Sequence, residues 1–158
     1  MKDQELRIQL IKLLNWEDAH SSLEKAIQNI PFSILGKQVT GIDYTIWQLA
    51  SHIHFAMHDI LEFCTNSLYK APKWPDDYWP KNNKPADIEE WENLSKNIHA
   101  NNQAFTQVIN NPAIDLFEPL KYGQGQTIFR EIMLVIDHSS YHIGQLVLIR
   151  KILGVWDN

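Results

Sequence analysis

Apolar residues recur at steps of three and four through four stretches of this chain, a period that belongs to helices and not to strands. From Asp3 to Asn29, with no Pro or Gly, one stripe is formed by Leu6, Leu10, Leu13, Trp16, His20, Leu23 and Ile27, and Pro31 ends it. Asp43 is placed to cap a second helix from Tyr44 to about Ser67. Its inward stripe is Leu49, His52, Ile53, Ala56, Ile60 and Phe63, with Ser51, His54, His58 and Glu62 opposite. Asp87 with Glu90 three residues later has the form of an acidic capping box. It opens a third helix to about Asn110, with Trp91, Leu94, Ile98, Phe105 and Val108 inward. Thr127 caps a fourth, which Gly154 closes.

The connections are as informative as the helices. Residues 31–43 carry Gly36 and Gly41 and are more numerous than adjacent antiparallel helices need, so the chain is predicted to cross an end of the domain there. Lys70 to Ala86 contains Pro72, Pro75, Pro80 and Pro85 among Trp74, Tyr78 and Trp79. Such a segment cannot be helix interior, and it is too aromatic for a free linker. It is expected to fold back on the helices, as a lid on a pocket or as packing over a bundle end. With no strand pattern anywhere, the fold class is all-α. The simplest architecture is a four-helix bundle with a Pro/Trp-rich insertion between helices 2 and 3, one domain over residues 1–158.

Composition narrows the functions. The 44% apolar and 21% charged content is that of a globular protein, and a net charge of −5 without a run of Lys or Arg argues against nucleic acid or an anionic membrane as partner. The longest unbroken apolar run, Ile132 to Ile136, is far too short to cross a bilayer. Cys64 is the sole cysteine, which excludes an intrachain disulfide and a thiolate metal cluster. No signal-peptide pattern opens the sequence, and a reducing, cytoplasmic location is expected.

Seven histidines carry the candidate chemistry. His138 and His142 are four apart on the most apolar helix, so their imidazoles stack on one face and can share a divalent cation. His52 lies on the inward stripe of the second helix, and facing helices about 8–10 Å apart bring it within reach of the pair. A competing i, i+4 pair, His54 and His58, falls on the polar face and is read as solvated. His20 belongs to the inward stripe of the first helix and could be a fourth ligand, a pocket acid/base or a core residue. His99 is read as a surface group.

Two longer motifs support this choice by resemblance. His138-Ser139-Ser140-Tyr141-His142-Ile143-Gly144-Gln145 resembles the closing motif of the DinB-like superfamily, and Tyr44-Thr45-Ile46-Trp47-Gln48-Leu49-Ala50-Ser51-His52 resembles its second-helix motif. Trp74-Pro75 through Tyr78-Trp79-Pro80, with Ala19-His20, is similar to a bacterial branch of it. The resemblance implies a four-helix bundle, often a homodimer, with a divalent metal on three histidines that fall at His52, His138 and His142. It also implies small-molecule chemistry. Some relatives are transferases or isomerases that use a low-molecular-weight thiol such as bacillithiol or mycothiol, and others are regarded as metal-dependent hydrolases or damage-inducible proteins. Many relatives have His just before the last ligand, where this chain has Tyr141.

Three ligands leave a coordination position for water or substrate, the mark of a catalytic site. The first expectation is a thiol-dependent transferase acting on a small electrophile; the alternatives are a metal-dependent hydrolase and a non-catalytic binding or stress-response module. The hydrolase reading lacks a neighbouring base, because Glu131 is about two turns from His138. Asp137 is expected to orient a neighbouring His, and Gln145 to donate or accept in the pocket. Imidazole donors suit zinc, nickel, copper and iron, with zinc or nickel foremost. A homodimer would bury Ile143 and Val147 on the outside of the last helix.

Overall fold

The computed structural model describes residues 2–15 and 19–156. Among these, five α-helices and no strand are present: α1 (Lys2–Asn15), α2 (Leu23–Ile27), α3 (Ile46–Thr65), α4 (Ile88–Asn110) and α5 (Ile128–Ile152). Helix α3 packs against both α4 and α5; α1 also packs against α4 and α5, and α2 lies on α5. Leu14, Leu49, Ile53, Met57, Phe105, Ile132 and Leu146 fill the space between them and are almost wholly buried.

The first predicted helix is two helices. Ser22, in an extended conformation, accepts the Lys25 N–H and so starts α2 afresh. A serine hydroxyl that can bond a nearby backbone N–H competes with continuing a helix. The chain then leaves α2 through Asn29, at φ 55°, ahead of Pro31. The single stripe is therefore corrected. Leu10, Leu23 and Ile27 are buried, but Leu13 is 47% exposed, with Leu14 taking the inward position. His20 is exposed as well. Trp16 lies outside the described residues.

The other helices begin and end largely where their capping residues require. Thr45, not Asp43, caps α3, and closes a reciprocal capping box with Gln48. Asp87 accepts the Glu90 N–H at the start of α4, and Thr127 accepts the Arg130 N–H at the start of α5. Gly154, at φ 70°, ends α5 in a left-handed turn where Val155 N–H reaches the Arg150 carbonyl and Gly154 N–H the Lys151 carbonyl. Phe63 and Val108 are only partly buried; Ile109 is the buried residue in the last turn of α4.

Two buried arginines tie helix ends together. Arg7 of α1 donates to the carbonyls of Ile109, Asn111 and Ile114 at 2.6, 3.1 and 2.7 Å, where α4 ends. Arg150 of α5 donates to Lys25 and Ala26 in α2, both at 2.9 Å, and to Val155. Each guanidinium satisfies carbonyls that a helix terminus leaves without a partner and meets the negative end of the helix dipole.

The long connection before α3 is tied to it by Trp47 N–H donating to the carbonyl of Leu35, itself fully buried. The Pro/Trp-rich segment lies along α3. Thr45 Oγ1 donates to the Asn83 carbonyl at 2.7 Å, and Asp59 accepts from the phenols of Tyr69 at 2.9 Å and Tyr78 at 2.7 Å.

Helix α5 alone among the described helices is long and apolar enough to cross a membrane by length and composition, which the short run Ile132 to Ile136 did not suggest. A helix apolar on nearly all sides is also what a central core strut requires. Here α5 buries Glu131, Ser139, His142 and Arg150 against its neighbours. Ile143 is 1% exposed and Val147 partly buried, so neither lies on its outer face; Met133, Leu134, Leu148 and Ile152 do.

Arg7→Met is expected to lower stability by about 3 kcal/mol, because it strips the buried Ile109 carbonyl and two partly buried carbonyls of their donor. The urea midpoint of the purified variant measures the loss.

Candidate metal centre

Helices α3 and α5 bring three imidazoles together at mid-length. The four-residue spacing of His138 and His142 sets their ring centroids 4.4 Å apart, and His52 meets them edge-on at 4.9 and 4.8 Å. One ligand nitrogen from each lies within 4.8 Å of the other two, and no Asp, Glu or Cys joins the set among the described residues.

Two of the rings have their tautomer set by a carbonyl. His52 Nδ1–H donates to the backbone carbonyl of Tyr78 at 2.9 Å, and His142 Nδ1–H donates to Gln145 Oε1 at 2.6 Å. A carbonyl oxygen only accepts, so in the neutral ring the proton sits on Nδ1 and the Nε2 lone pair is free. His52 Nε2 then lies 3.0 Å from His138 Nε2. Nitrogens bonded to one cation at about 2.0–2.1 Å stand about 3 Å apart, which this spacing matches. His138 Nδ1 is buried and without a partner, as are the hydroxyls of Ser51 and Ser139 on either side of the contact. The residues therefore fit a divalent cation.

Burial also keeps these rings neutral. It pushes His138 down to about 4, with His142 and His52 adding to the effect. Burial lowers His52 and His142 as well, opposed in part by the hydrogen bonds to Tyr78 and Gln145. A neutral imidazole is the form that ligates a metal.

The Pro/Trp-rich segment settles onto this cluster and neither caps a bundle end nor runs free. Trp79 stacks on His52, with ring centroids 4.0 Å apart and planes 4° from parallel. Asp59, seven residues beyond His52 on α3, grips Tyr69 and Tyr78, and Tyr78 in turn presents the carbonyl that orients His52. Burial, followed by the Asp59 carboxylate, raises both phenol pKa values, Tyr69 to about 12. Both phenols therefore remain donors at neutral pH.

The remaining predicted residues fall elsewhere. Gln145 reaches the cluster through His142. Asp137 is exposed and makes no hydrogen bond to a ligand histidine; the Tyr78 carbonyl and Gln145 do the orienting. His20 bonds the Ser21 carbonyl at 2.9 Å and Ser140 Oγ at 3.3 Å. Ser140 is two residues past His138, about 200° around α5, so His20 abuts the far side of that helix. His54 and His58 stack in parallel at 6.2 Å on the outer side of α3, and burial lowers the pKa of His54. His99 is exposed beside Gln103 at 2.9 Å. Glu131 is buried and ion-paired with Arg130 at 2.7 Å.

Because the unfolded histidines protonate near 6.5 and His138 in the fold only near 4, acid favours the unfolded chain across that interval. The metal-free protein should keep its full stability above about pH 6.5 and lose it progressively towards pH 4; denaturant midpoints measured through this window, with a shallower dependence in His138→Gln, check the assignment. Tyr78→Phe keeps the carbonyl but removes one of the two phenols that Asp59 holds. It is expected to weaken metal affinity about tenfold in a chelator competition, with the helical content unchanged.

Neither curated proteins nor solved structures yield a match to this chain. The model of the DinB family does match, over residues 1–156, and so covers both helices that carry the imidazoles. What the motifs at Tyr44–His52 and His138–Gln145 resembled is thereby shown, and the chain belongs to the DinB family.

Proposed function

We propose that this protein is a metal-dependent enzyme of small molecules, a transferase that joins a low-molecular-weight thiol to an electrophile. The observation that carries the reading is the convergence of three neutral imidazoles from two helices, one ligand short of a closed structural site. When bound, a divalent cation there supplies Lewis acidity that eases loss of a proton from a thiol or a water. Zinc and nickel both suit an all-imidazole set.

The chain's own groups divide the work. His52, His138 and His142 hold the cation; the Tyr78 carbonyl and Gln145 fix the rings that present the lone pairs. Trp79 covers one face of His52 and keeps water from it. Hydrolysis would need a base to draw a proton from water, and the nearest carboxylate on the same face of α5, Glu131, is already neutralised by Arg130. That favours thiol chemistry, in which the thiol brings its own nucleophile. His20, on the far side of α5, is left out of the proposed machinery.

The same reading makes the fold a four-helix bundle in which α1 and α2 act as one interrupted rod and the Pro/Trp-rich strap is an insertion between the second and third rods. A second copy of the chain is proposed to dock on the exposed apolar surface of α5 at Leu148 and Ile152.

His138→Ala is expected to weaken metal binding by about a hundredfold or more and to abolish thiol conjugation with it. Elemental analysis of the purified protein, followed by a screen of thiols against electrophiles for both proteins, tests this. Equal turnover by the variant overturns the proposal, and so does a wild-type protein in which chelation lowers the melting temperature but no thiol–electrophile pair turns over.

A further inference from the structure

Four aromatic side chains gather where the imidazoles approach the surface, and the metal-binding role uses only one of them. Trp79 stacks on His52 and lies 6.3 Å from His142, ring to ring. Tyr44, just before α3, stacks on Trp79 at 5.6 Å. Trp74 approaches His52 to 6.4 Å yet is 63% exposed, and Tyr141 approaches His142 to 4.9 Å yet is 65% exposed. The rings come from three separate segments of the chain; Trp74, Trp79 and Tyr141 adjoin His52 or His142, and Tyr44 adjoins Trp79.

Large aromatic surface left in water at one spot marks a binding site more often than chance. Two polar features sharpen what it would bind. Burial, followed by the Tyr141 phenol and Asp43, raises the Tyr44 pKa, so Tyr44 stays a hydrogen-bond donor at neutral pH. Among the described residues neither phenol hydroxyl has a hydrogen-bond partner. An aromatic cluster by itself would also suit an organic cation. A divalent cation beside it repels such a guest and favours an uncharged one whose oxygen can accept from the phenols.

We infer that Trp74, Trp79, Tyr44 and Tyr141 form the recess for the electrophile, and that the substrate class is a planar, uncharged, conjugated carbonyl compound. Its flat body lies against the indoles and its carbonyl oxygen accepts from the tyrosine hydroxyls. This rests on the metal-centre reading above. It also gives a role to Tyr141, which stands where the family resemblance places a histidine.

The test compares two ketones of the same skeleton on the metal-loaded, full-length protein by calorimetry: 2-acetylnaphthalene, which is flat, and its saturated 2-acetyldecalin counterpart, which is puckered. The naphthyl ketone is expected to bind about tenfold more tightly. Trp74→Ala and Tyr141→Ala should each cut its affinity about two- to twelvefold, the fold-change of one aromatic pair, without changing metal content. Trp74 is exposed enough for its removal to leave the fold intact, which circular dichroism confirms. Equal affinity for the two ketones overturns the inference. It is overturned too if Trp74→Ala leaves naphthyl binding unchanged, or if Tyr141→Ala acts only by changing the sedimentation coefficient. Protein that takes up no metal but keeps the naphthyl preference supports the recess and overturns the metal reading. Metal-filled protein with no preference does the reverse.

Discussion

The contact between α3 and α5 has to bury three imidazoles without burying charge, and much else in the structure follows from that requirement. Ligand nitrogens 3.0 Å apart cannot both be protonated and cannot both be bare without repulsion, unless a cation lies between them or one proton is shared. Desolvation removes the charge, pulling all three pKa values down. The Tyr78 carbonyl and Gln145 then fix which nitrogen of His52 and His142 keeps its proton. His138 has no such anchor at Nδ1, and carries the largest shift of the three.

The strap between α3 and α4 belongs to that same constraint. Four prolines keep it out of helix, which leaves its backbone carbonyls available to groups outside the segment. Tyr78 uses one on His52, while its phenol is held by Asp59 two turns further along α3. Tyr78 by its carbonyl and its phenol, and Asn83 by its carbonyl to Thr45, tie the strap to α3 and its N-cap, and Trp79 is carried onto the imidazole face. An element that looks irregular in sequence is held against α3 by side-chain bonds in place of the ladder it lacks.

The buried arginines serve the same end at a distance. A five-residue helix such as α2 has little stability of its own. Arg150 of α5 holds the carbonyls of Lys25 and Ala26, and Arg7 holds the end of α4 from α1. These bonds set where the shorter segments lie against the longer ones that carry the chemistry.

Periodicity and capping chemistry were enough to read an all-helical chain from the sequence, with Thr127, Asp87 and Gly154 at their helix ends and His138 and His142 on a shared face. These are local matters: a cap bonds within three residues, and an i, i+4 pair is set by helix geometry alone. His52 was legible because its apolar stripe runs along one unbroken helix, α3, which turns that stripe to the core. What the sequence left open depends on partners far along the chain. Ser22 starts α2 afresh and so interrupts the first stripe, α2 lies on α5, and His20 and Leu13 face water. Ile143 and Val147 turn inward on a helix apolar on almost every side, where composition cannot tell core from surface. The carbonyl that orients His52 is 26 residues away in sequence and belongs to the backbone, so no residue type announces it. Only the packing of the strap on α3 could supply it.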